Sequence, residues 1–225
     1  MCYPRHMESE RSLASAVGGG LPTTRDALLG AALDGFSRDG FGGTSIRNLA
    51  KAVGIRESSV YKHFPSKQAI FDALIELADS RLGELGTQLG VSTSEGASAA
   101  KDYRNINGQS LSAIAQGMFS FVRHDPVFSR LRRLMMIEQY HDAAIAQRLN
   151  DYLIAKPLAF QTALFEELMK GGEFVDNVSP SQAALAFYGP IFMLMQMGES
   201  DEEGAKKLLD EHINGFRVTY LKDQS

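Results

Sequence analysis

The residues of this chain best suited to chemistry form a short basic stretch that could bind an anionic polymer. Between Thr44 and Lys67 the sequence has five lysines or arginines and one acid, and cationic side chains at this density favour contacts with phosphate oxygens. Small hydroxyls in the stretch would let a helix backbone approach DNA closely, while longer side chains would reach the phosphates. The residues in question are Arg56, Glu57, Ser58, Ser59, Tyr61, Lys62 and His63.

Two short helices joined by a glycine turn would position these side chains. Apolar residues at three- and four-residue spacing predict the first helix: Ile46, Leu49, Ala50 and Val53. We expect Thr44 to cap this helix, Arg47 to point outward as a further DNA-binding residue, and Gly54 to close the helix in the left-handed conformation. The second helix covers residues 56–63, at the spacing of a helix-turn-helix whose second helix enters the DNA major groove. Similar helix pairs also occur in all-α proteins that bind no DNA.

A more specific pattern follows the glycine turn. Residues 60–67 read Val-Tyr-Lys-His-Phe-Pro-Ser-Lys, after Gly54-Ile55. This run resembles the amino-terminal signature of the TetR family of bacterial transcription regulators, and the resemblance extends from about Thr24 to Leu82. It implies that this unit binds operator DNA as part of a homodimer, and that a variable helical domain binds a small effector.

Carried over by position, the resemblance implies two sets of DNA contacts. Phosphate contacts would come from Arg25, Thr44, Tyr61, His63 and Lys67. Base edges would be faced by Arg56, Glu57, Ser58, Ser59 and Lys62. The family often has a serine or threonine where this chain has Arg56, so the usual cap of the second helix is missing. Arg56 would instead read guanine or hold a phosphate, and Glu57 could accept from a cytosine amine.

Length and charge distribution fit a helical protein with one basic end. The chain has 225 residues, 44% of them hydrophobic, and a net charge of −4, whereas residues 24–67 carry seven basic and four acidic side chains. We predict an all-α protein with an amino-terminal helix-turn-helix DNA-binding domain followed by a helical-bundle ligand-binding and dimerisation domain. The predicted parts are a disordered arm (1–20), the DNA-binding domain with a connecting helix (21–82), and the effector-binding and dimerisation domain (83–225).

The central helices of the predicted second domain offer an apolar effector site. Methionine and aromatic side chains adapt to ligands of differing shape, and Gln139 and Tyr140 could orient a polar atom. The scarcity of lysine and arginine in this set favours a largely apolar effector. The alternative for each residue is ordinary core packing. The set comprises Met118, Phe119, Val122, Met135, Met136, Gln139, Tyr140, Phe160 and Leu164.

The penultimate helix has a wider apolar surface than the edge of a monomer needs. Its residues in question are Ala184, Phe187, Tyr188, Ile191, Phe192 and Met195. The resemblance implies that the last two helices form a four-helix dimer interface, and the alternative is burial within one subunit. A dimer would present two reading helices to half-sites about 34–36 Å apart, or a multiple of one helical turn.

Other functional classes find less support in the sequence. Cys2 is the only cysteine, which excludes an intrachain disulfide and favours a reducing cytoplasm. We recognise no nucleophile elbow, phosphate loop, zinc motif or membrane span, and so predict no enzyme, metal, cofactor or membrane partner. The predicted partners are double-stranded operator DNA, a small-molecule effector and a second copy of the chain. A ligand-sequestering helical dimer without operator binding, or a helical enzyme with an unrecognised site, stays the alternative.

Overall fold

The computed structural model describes residues 23–92, 97, 99–100, 102, 108–197 and 201–222, so the predicted arm lies outside the described residues. The described chain is helical apart from its connections, with one isolated antiparallel bridge between Phe174 and Leu221. The predicted all-α class is therefore confirmed. The helices are α1 (Thr24–Gly43), α2 (Ile46–Val53), α3 (Glu57–His63), α4 (Lys67–Gln88), α5 (Gly108–His124), α6 (Phe128–Glu138), α7 (Ala143–Asn150), a π-helical segment (Asp151–Ala155), α8 (Lys156–Lys170), α9 (Pro180–Met195) and α10 (Glu202–Tyr220).

The described helices belong to two compact units. The first combines the chain up to Ser80 with residues Asp125–Gln147, and the second combines Arg81–His124 with the chain from Arg148 onward. The predicted domains divide the chain once, near Leu82. The structure divides it close to that point but groups α6 and part of α7 with the first unit.

The core of the first unit forms around the apolar face of α1. The spacing of Thr23 and Asp26 predicts a capping box at the start of this helix. The structure has it: the Thr23 hydroxyl accepts from the amide of Asp26 at 3.2 Å, and the Asp26 carboxylate accepts from the amide of Thr23 at 3.0 Å. The pair Asp39-Gly40 predicts a stop of this helix. In the structure the backbone changes direction sharply there, with the φ of Gly40 at 80°. Phe41 then turns inward and packs edge-on against Phe36 and Phe71, with ring centroids 5.1 and 5.4 Å apart.

The cap of α2 lies one residue later than predicted. Ser45 caps the helix, since its hydroxyl accepts from the amide of Asn48 at 3.1 Å and the Asn48 side chain accepts from the amide of Ser45 at 3.0 Å. The predicted cap at Thr44 is wrong because the turn at Gly40 places this threonine in the core, 2% exposed. Its hydroxyl donates to the Gly40 carbonyl at 3.0 Å.

Two glycines of α1 make a matched pair for testing the packing around Thr44. A Cβ on Gly35 would lie 2.9 Å from Thr44 Cγ2, whereas a Cβ on Gly30 would meet nothing within 4 Å. Alanine favours a helix more than glycine does, so Gly30→Ala should raise the free energy of unfolding by about 0.5–1 kcal/mol. At Gly35 the added methyl group would crowd Thr44, so Gly35→Ala should lower the free energy of unfolding by about 1 kcal/mol. Urea denaturation measures both. Equal stabilisation by the two substitutions would contradict the contact between Gly35 and Thr44.

Helix α4 is longer than its apolar pattern predicts. We expect it to end near Leu82, before Gly83 and Gly86, but it continues to Gln88. A glycine inside a helix costs about 1 kcal/mol without removing a hydrogen bond, so it need not end the helix. The actual stop is Gly90 at φ 70°, where the amide of Val91 donates back to the Gly86 carbonyl at 2.9 Å.

A π-helical segment joins two helices that the sequence predicts as separate. The apolar pattern suggests a break between Leu149 and Tyr152, but the backbone stays helical from α7 through the π segment into α8. Pro157 has no amide proton, so it cannot donate to the carbonyl of Leu153 four residues earlier. Instead the Tyr188 hydroxyl of α9 donates to this carbonyl at 2.8 Å. Burial raises the pKa of the Tyr188 phenol well above its ordinary value, so the hydroxyl remains a donor at neutral pH.

Removing this hydroxyl should destabilise the second unit. Tyr188→Phe removes the hydroxyl that donates to the carbonyl of the buried Leu153, and we expect the free energy of unfolding to fall by about 1–3 kcal/mol. Chemical denaturation at neutral pH checks this, with Tyr140→Phe as the control because Tyr140 is 82% exposed. The two variants would be equally stable if the Tyr188 bond contributed nothing.

Candidate nucleic-acid interface

Helix α3 is anchored by a single side chain and presents the others outward. Val60 is fully buried, and Phe64 directly after the helix is 3% exposed. Ser59 is half-buried, and Tyr61 is 52% exposed. The remaining residues of the helix are exposed, namely Glu57, Ser58, Lys62 and His63. The helix therefore offers a polar and basic surface that no neighbouring described element covers.

The turn between α2 and α3 has the predicted geometry. Gly54 adopts φ 74° and ψ 28°, and its amide donates to the carbonyls of Ala50 and Lys51. Ile55 is half-buried, and Arg47 and Lys51 on α2 are exposed. The two helices thus form a helix-turn-helix with basic residues on the outside of both.

Arg25 and Arg56 flank α3 from opposite ends. The Arg25 guanidinium carbon lies 5.0 Å from the centroid of the Phe64 ring, a cation–π distance that holds this exposed arginine near the end of α3. Arg56 occupies the cap position of α3 and makes no side-chain capping bond. The predicted absence of a cap is therefore confirmed, and the exposed guanidinium is not used for the start of its own helix.

Lys67 and Thr44 have internal partners that the sequence did not reveal. The Lys67 ammonium donates to the carbonyls of Phe41 at 2.7 Å and Thr44 at 3.1 Å, and lies 4.5 Å from the centroid of the Phe41 ring. The Thr44 side chain is buried. The role that the structure supports for both side chains is to fix the corner between α1 and α2. The sequence also predicts that Ser66 caps α4, and its hydroxyl accepts from the amide of Ala69 at 3.0 Å.

The predicted effector residues are divided between the two units. Met135, Met136, Gln139 and Tyr140 belong to the first unit, and Met118, Phe119, Val122, Phe160 and Leu164 belong to the second. Tyr140 is largely exposed, and the Gln139 side-chain amide donates to the Met136 carbonyl at 2.8 Å. Leu164 is part of an aromatic core, against which Phe160 also packs. For Phe160 and Leu164 the structure therefore supports core packing.

One polar residue near this set was not predicted. Gln161 follows Phe160 on α8, and its buried side-chain oxygen accepts no hydrogen bond from the described residues. A buried acceptor without a donor costs free energy unless a ligand or water supplies one. The sequence signal was weak, because an isolated glutamine within an amphipathic helix usually faces solvent.

The predicted interface residues of α9 are mostly internal to the protomer. Ala184, Ile191 and Met195 are buried. The Phe187 ring packs against Phe216 of α10 with centroids 4.9 Å apart, and the Tyr188 hydroxyl donates to Leu153 of the π-helical segment. Phe192 is half-buried. The large apolar side chains that α9 and α10 expose are instead Leu185 (61%), Met193 (61%), Leu208 (45%) and Val218 (86%).

Metal and membrane sites find no support among the described residues. Nowhere in this part of the chain do three histidine or acidic side chains come together in a group that could hold a metal ion. His124 lies 3.2 Å from Glu202, which also pairs with Lys206. The bond from Lys206, followed by that from His124, lowers the pKa of the Glu202 carboxyl. Within the same residues, every helix is too short or too polar to cross a membrane.

Comparison with known proteins identifies the basic helix pair. A sequence model described as bacterial regulatory proteins, tetR family, matches residues 28–74. The AcrR transcriptional regulator of Shigella flexneri is 40% identical over 62 residues, or 28% of this chain and 29% of that protein. The nucleoid occlusion factor SlmA of Marinobacter nauticus is 40% identical over 58 residues, or 26% of this chain and 30% of that protein.

Residues 28–74, which contain the helix-turn-helix, are therefore those of a TetR-family amino-terminal domain. The aligned segments span less than a third of these two curated relatives, and the family model covers residues 28–74. The TetR-family fold extends further. The complex of triclosan with SmeT, the repressor of the Stenotrophomonas maltophilia multidrug efflux pump SmeDEF, matches with a TM-score of 0.66 at 17% identity, covering 89% of this chain and 93% of that chain. The predicted helix-turn-helix followed by a helical domain is confirmed.

Proposed function

We propose that this TetR-family protein is a transcriptional regulator, and a repressor, that binds a palindromic operator as a homodimer. The observation that carries the proposal is the surface of α3, where Val60 alone is fully buried and basic or hydroxyl side chains face outward. In the major groove, residues 56–59 and Lys62 would meet base edges. Tyr61, His63 and Arg25 would contact phosphates from the same face.

The homodimer is proposed to form through the exposed apolar residues of α9 and α10. Leu185 and Met193 lie eight residues apart with Gly189 midway, which puts all three on one stripe of α9. Leu208 and Val218 are exposed on α10, which packs against the other side of α9 through Phe187 and Phe216. Large apolar side chains this exposed on two adjoining helices favour burial against a protein partner. A second copy of the chain, related by a two-fold axis, would bring the same apolar surface against this one.

Release from the operator is proposed to follow binding of a small, largely apolar effector. The SmeT structure contains triclosan, a compound bound by that protein. In this chain, Phe119 and Val122 provide buried apolar surface, and the Gln161 oxygen provides an acceptor for a ligand donor. Because α4 contributes residues to both units, a change in its tilt on ligand binding would alter the spacing of the two reading helices. Such a protein works in the cytoplasm.

Relatives of another kind suggest a second candidate function. SlmA of Actinobacillus pleuropneumoniae is 32% identical over 96 residues, covering 42% of this chain and 42% of that protein, and is named a nucleoid occlusion factor. Binding at many dispersed chromosomal sites would favour this candidate. Binding confined to a few promoters would favour transcriptional regulation.

Selection of bound duplexes from a random pool tests the proposed function. The purified chain should enrich an inverted repeat whose half-site centres lie about 34–36 Å apart or a multiple of one turn. The matched control is a double variant, Tyr61→Asp with Lys62→Glu, which alters exposed residues of α3 only and should enrich nothing. Failure of the unaltered chain to enrich any sequence at low ionic strength would overturn the proposal. Native mass spectrometry of the same preparation would reveal a co-purified effector.

A further inference from the structure

The corner between α1 and α2 is held from two directions at a single residue. The amide of Phe41 donates to Glu138 Oε1 of α6 at 3.1 Å, and the Phe41 carbonyl accepts from Lys67 Nζ of α4 at 2.7 Å. These partners lie 97 and 26 positions away in the chain. Both bonds involve a charged group, and charged partners strengthen hydrogen bonds about twofold over neutral ones.

Gly40 provides the space that the Glu138 carboxylate occupies. Its φ of 80° is a conformation that favours glycine. A Cβ built on Gly40 would lie 2.5 Å from Glu138 Oε1, so any side chain at this position would collide with the carboxylate. The backbone turn and the carboxylate therefore fit each other closely.

The corner leads directly into the DNA-reading helices. Lys67, the first residue of α4, also donates to the Thr44 carbonyl at 3.1 Å, and Ser45 begins the cap of α2. A displacement of Phe41 would therefore move the start of α2 and the first turn of α4 together. A second tie from α6, the ion pair of Arg130 with Asp34 at 2.5 Å, acts on the middle of α1 and leaves the corner untouched.

We propose that Glu138 is a positioning residue for operator binding. Its carboxylate fixes the Phe41 amide, and thereby the angle at which α2 and α3 meet DNA. Helix α6 also carries Met135 and Met136, which belong to the predicted effector set, so a ligand that moves α6 would loosen or tighten this bond. The inference rests on the proposed function, because it assigns a role in operator affinity and in its regulation.

Three variants of the protein test this role. Glu138→Ala removes the acceptor, Glu138→Gln keeps a side-chain oxygen in its place, and Arg130→Ala breaks the other tie between α6 and α1. Two quantities are measured on protein verified as folded: operator affinity by fluorescence anisotropy, with the duplex selected above, and hydrogen exchange of the Phe41 amide by nuclear magnetic resonance.

Glu138→Ala should weaken operator binding roughly tenfold or more and accelerate exchange of the Phe41 amide by a similar factor, since one charge-assisted bond is lost per subunit. Glu138→Gln and Arg130→Ala should each stay within about threefold of the unaltered protein in both quantities. A loss of affinity that is equal in Glu138→Ala and Arg130→Ala would overturn the proposal, because it would reflect general loosening of α6.

Full operator affinity in a folded Glu138→Ala variant would also overturn the positioning role while leaving the proposed function intact. If the unaltered protein binds no duplex at all, the proposed function fails first and the role of Glu138 falls with it. Measuring the unaltered protein before the variants distinguishes these two failures.

Discussion

Replacing Met193 with aspartate is expected to convert the proposed dimer into monomers. Met193 is 61% exposed in the protomer, so a single subunit can accommodate aspartate in water. Across a two-fold interface, the substitution would bury two unpaired carboxylates of like charge, at a cost of several kcal/mol per ion. The dimer dissociation constant should therefore rise by at least about a hundredfold. Sedimentation velocity over a concentration series measures this shift.

The same substitution should remove operator binding, although it lies far along the chain from α3. One helix-turn-helix contacts too few bases for tight binding, and a monomer loses the second half-site. Ile137→Asp is the control, because Ile137 is 63% exposed but belongs to α6 of the first unit. It should leave the dimer intact. A Met193→Asp protein that sediments as an unaltered dimer would contradict the proposed interface.

Arg56→Ala is expected to produce the largest loss of affinity among single changes in the reading helix. Arg56 is exposed at the cap position of α3 and makes no side-chain capping bond. A bidentate pair with guanine is worth about 1–3 kcal/mol, and a homodimer uses the contact twice. Operator binding should therefore weaken by about 2–6 kcal/mol. Competition titrations with operators altered at each base pair measure both affinity and discrimination.

The same titrations separate the two roles predicted for Arg56. If it reads guanine, the variant loses discrimination at one base pair in each half-site. If it holds a phosphate, discrimination stays and the dependence of affinity on salt becomes shallower by about one unit per contact. The control is Arg38→Ala, since Arg38 is exposed and pairs with its neighbour Asp39 at 2.8 Å. If the Arg56→Ala and Arg38→Ala variants bind the operator with equal affinity, Arg56 does not contact DNA.

The parts of this structure that the sequence predicts well are those set by neighbours three or four residues away. The capping box of Thr23 and Asp26, the left-handed Gly54 and the cap by Ser66 all depend on local backbone geometry. The helix-turn-helix consists of such local features, so its helices and exposed side chains could be predicted. The expectation that these helices bind operator DNA came from the family resemblance.

The parts that the sequence predicts poorly depend on distant partners. Nothing near Lys67 indicates that its ammonium binds carbonyls 23 and 26 residues earlier, and a lysine at a helix start suggests a phosphate equally well. The bond between Phe41 and Glu138 spans 97 residues. Local spacing could not distinguish Thr44 from Ser45 as a cap, because the choice depends on which hydroxyl the turn at Gly40 buries.

Helix α9 illustrates a different limit. Its sequence is apolar on more than one face, and periodicity alone does not tell which face the rest of the subunit covers. The prediction selected Ala184, Ile191 and Met195, which the protomer buries, and omitted Leu185 and Met193, which it exposes. Which face of α9 is buried is set by the packing of Phe187 against Phe216 of α10, a contact between separate helices.

The mass of the protein–duplex complex tests the central claim most directly. That claim is that two subunits, paired through α9 and α10, present two copies of α3 to one DNA duplex. Sedimentation equilibrium with the selected operator should give an even number of chains per duplex at every ratio of protein to DNA. A stable complex with one chain per duplex, or the absence of any complex at low ionic strength, would contradict it.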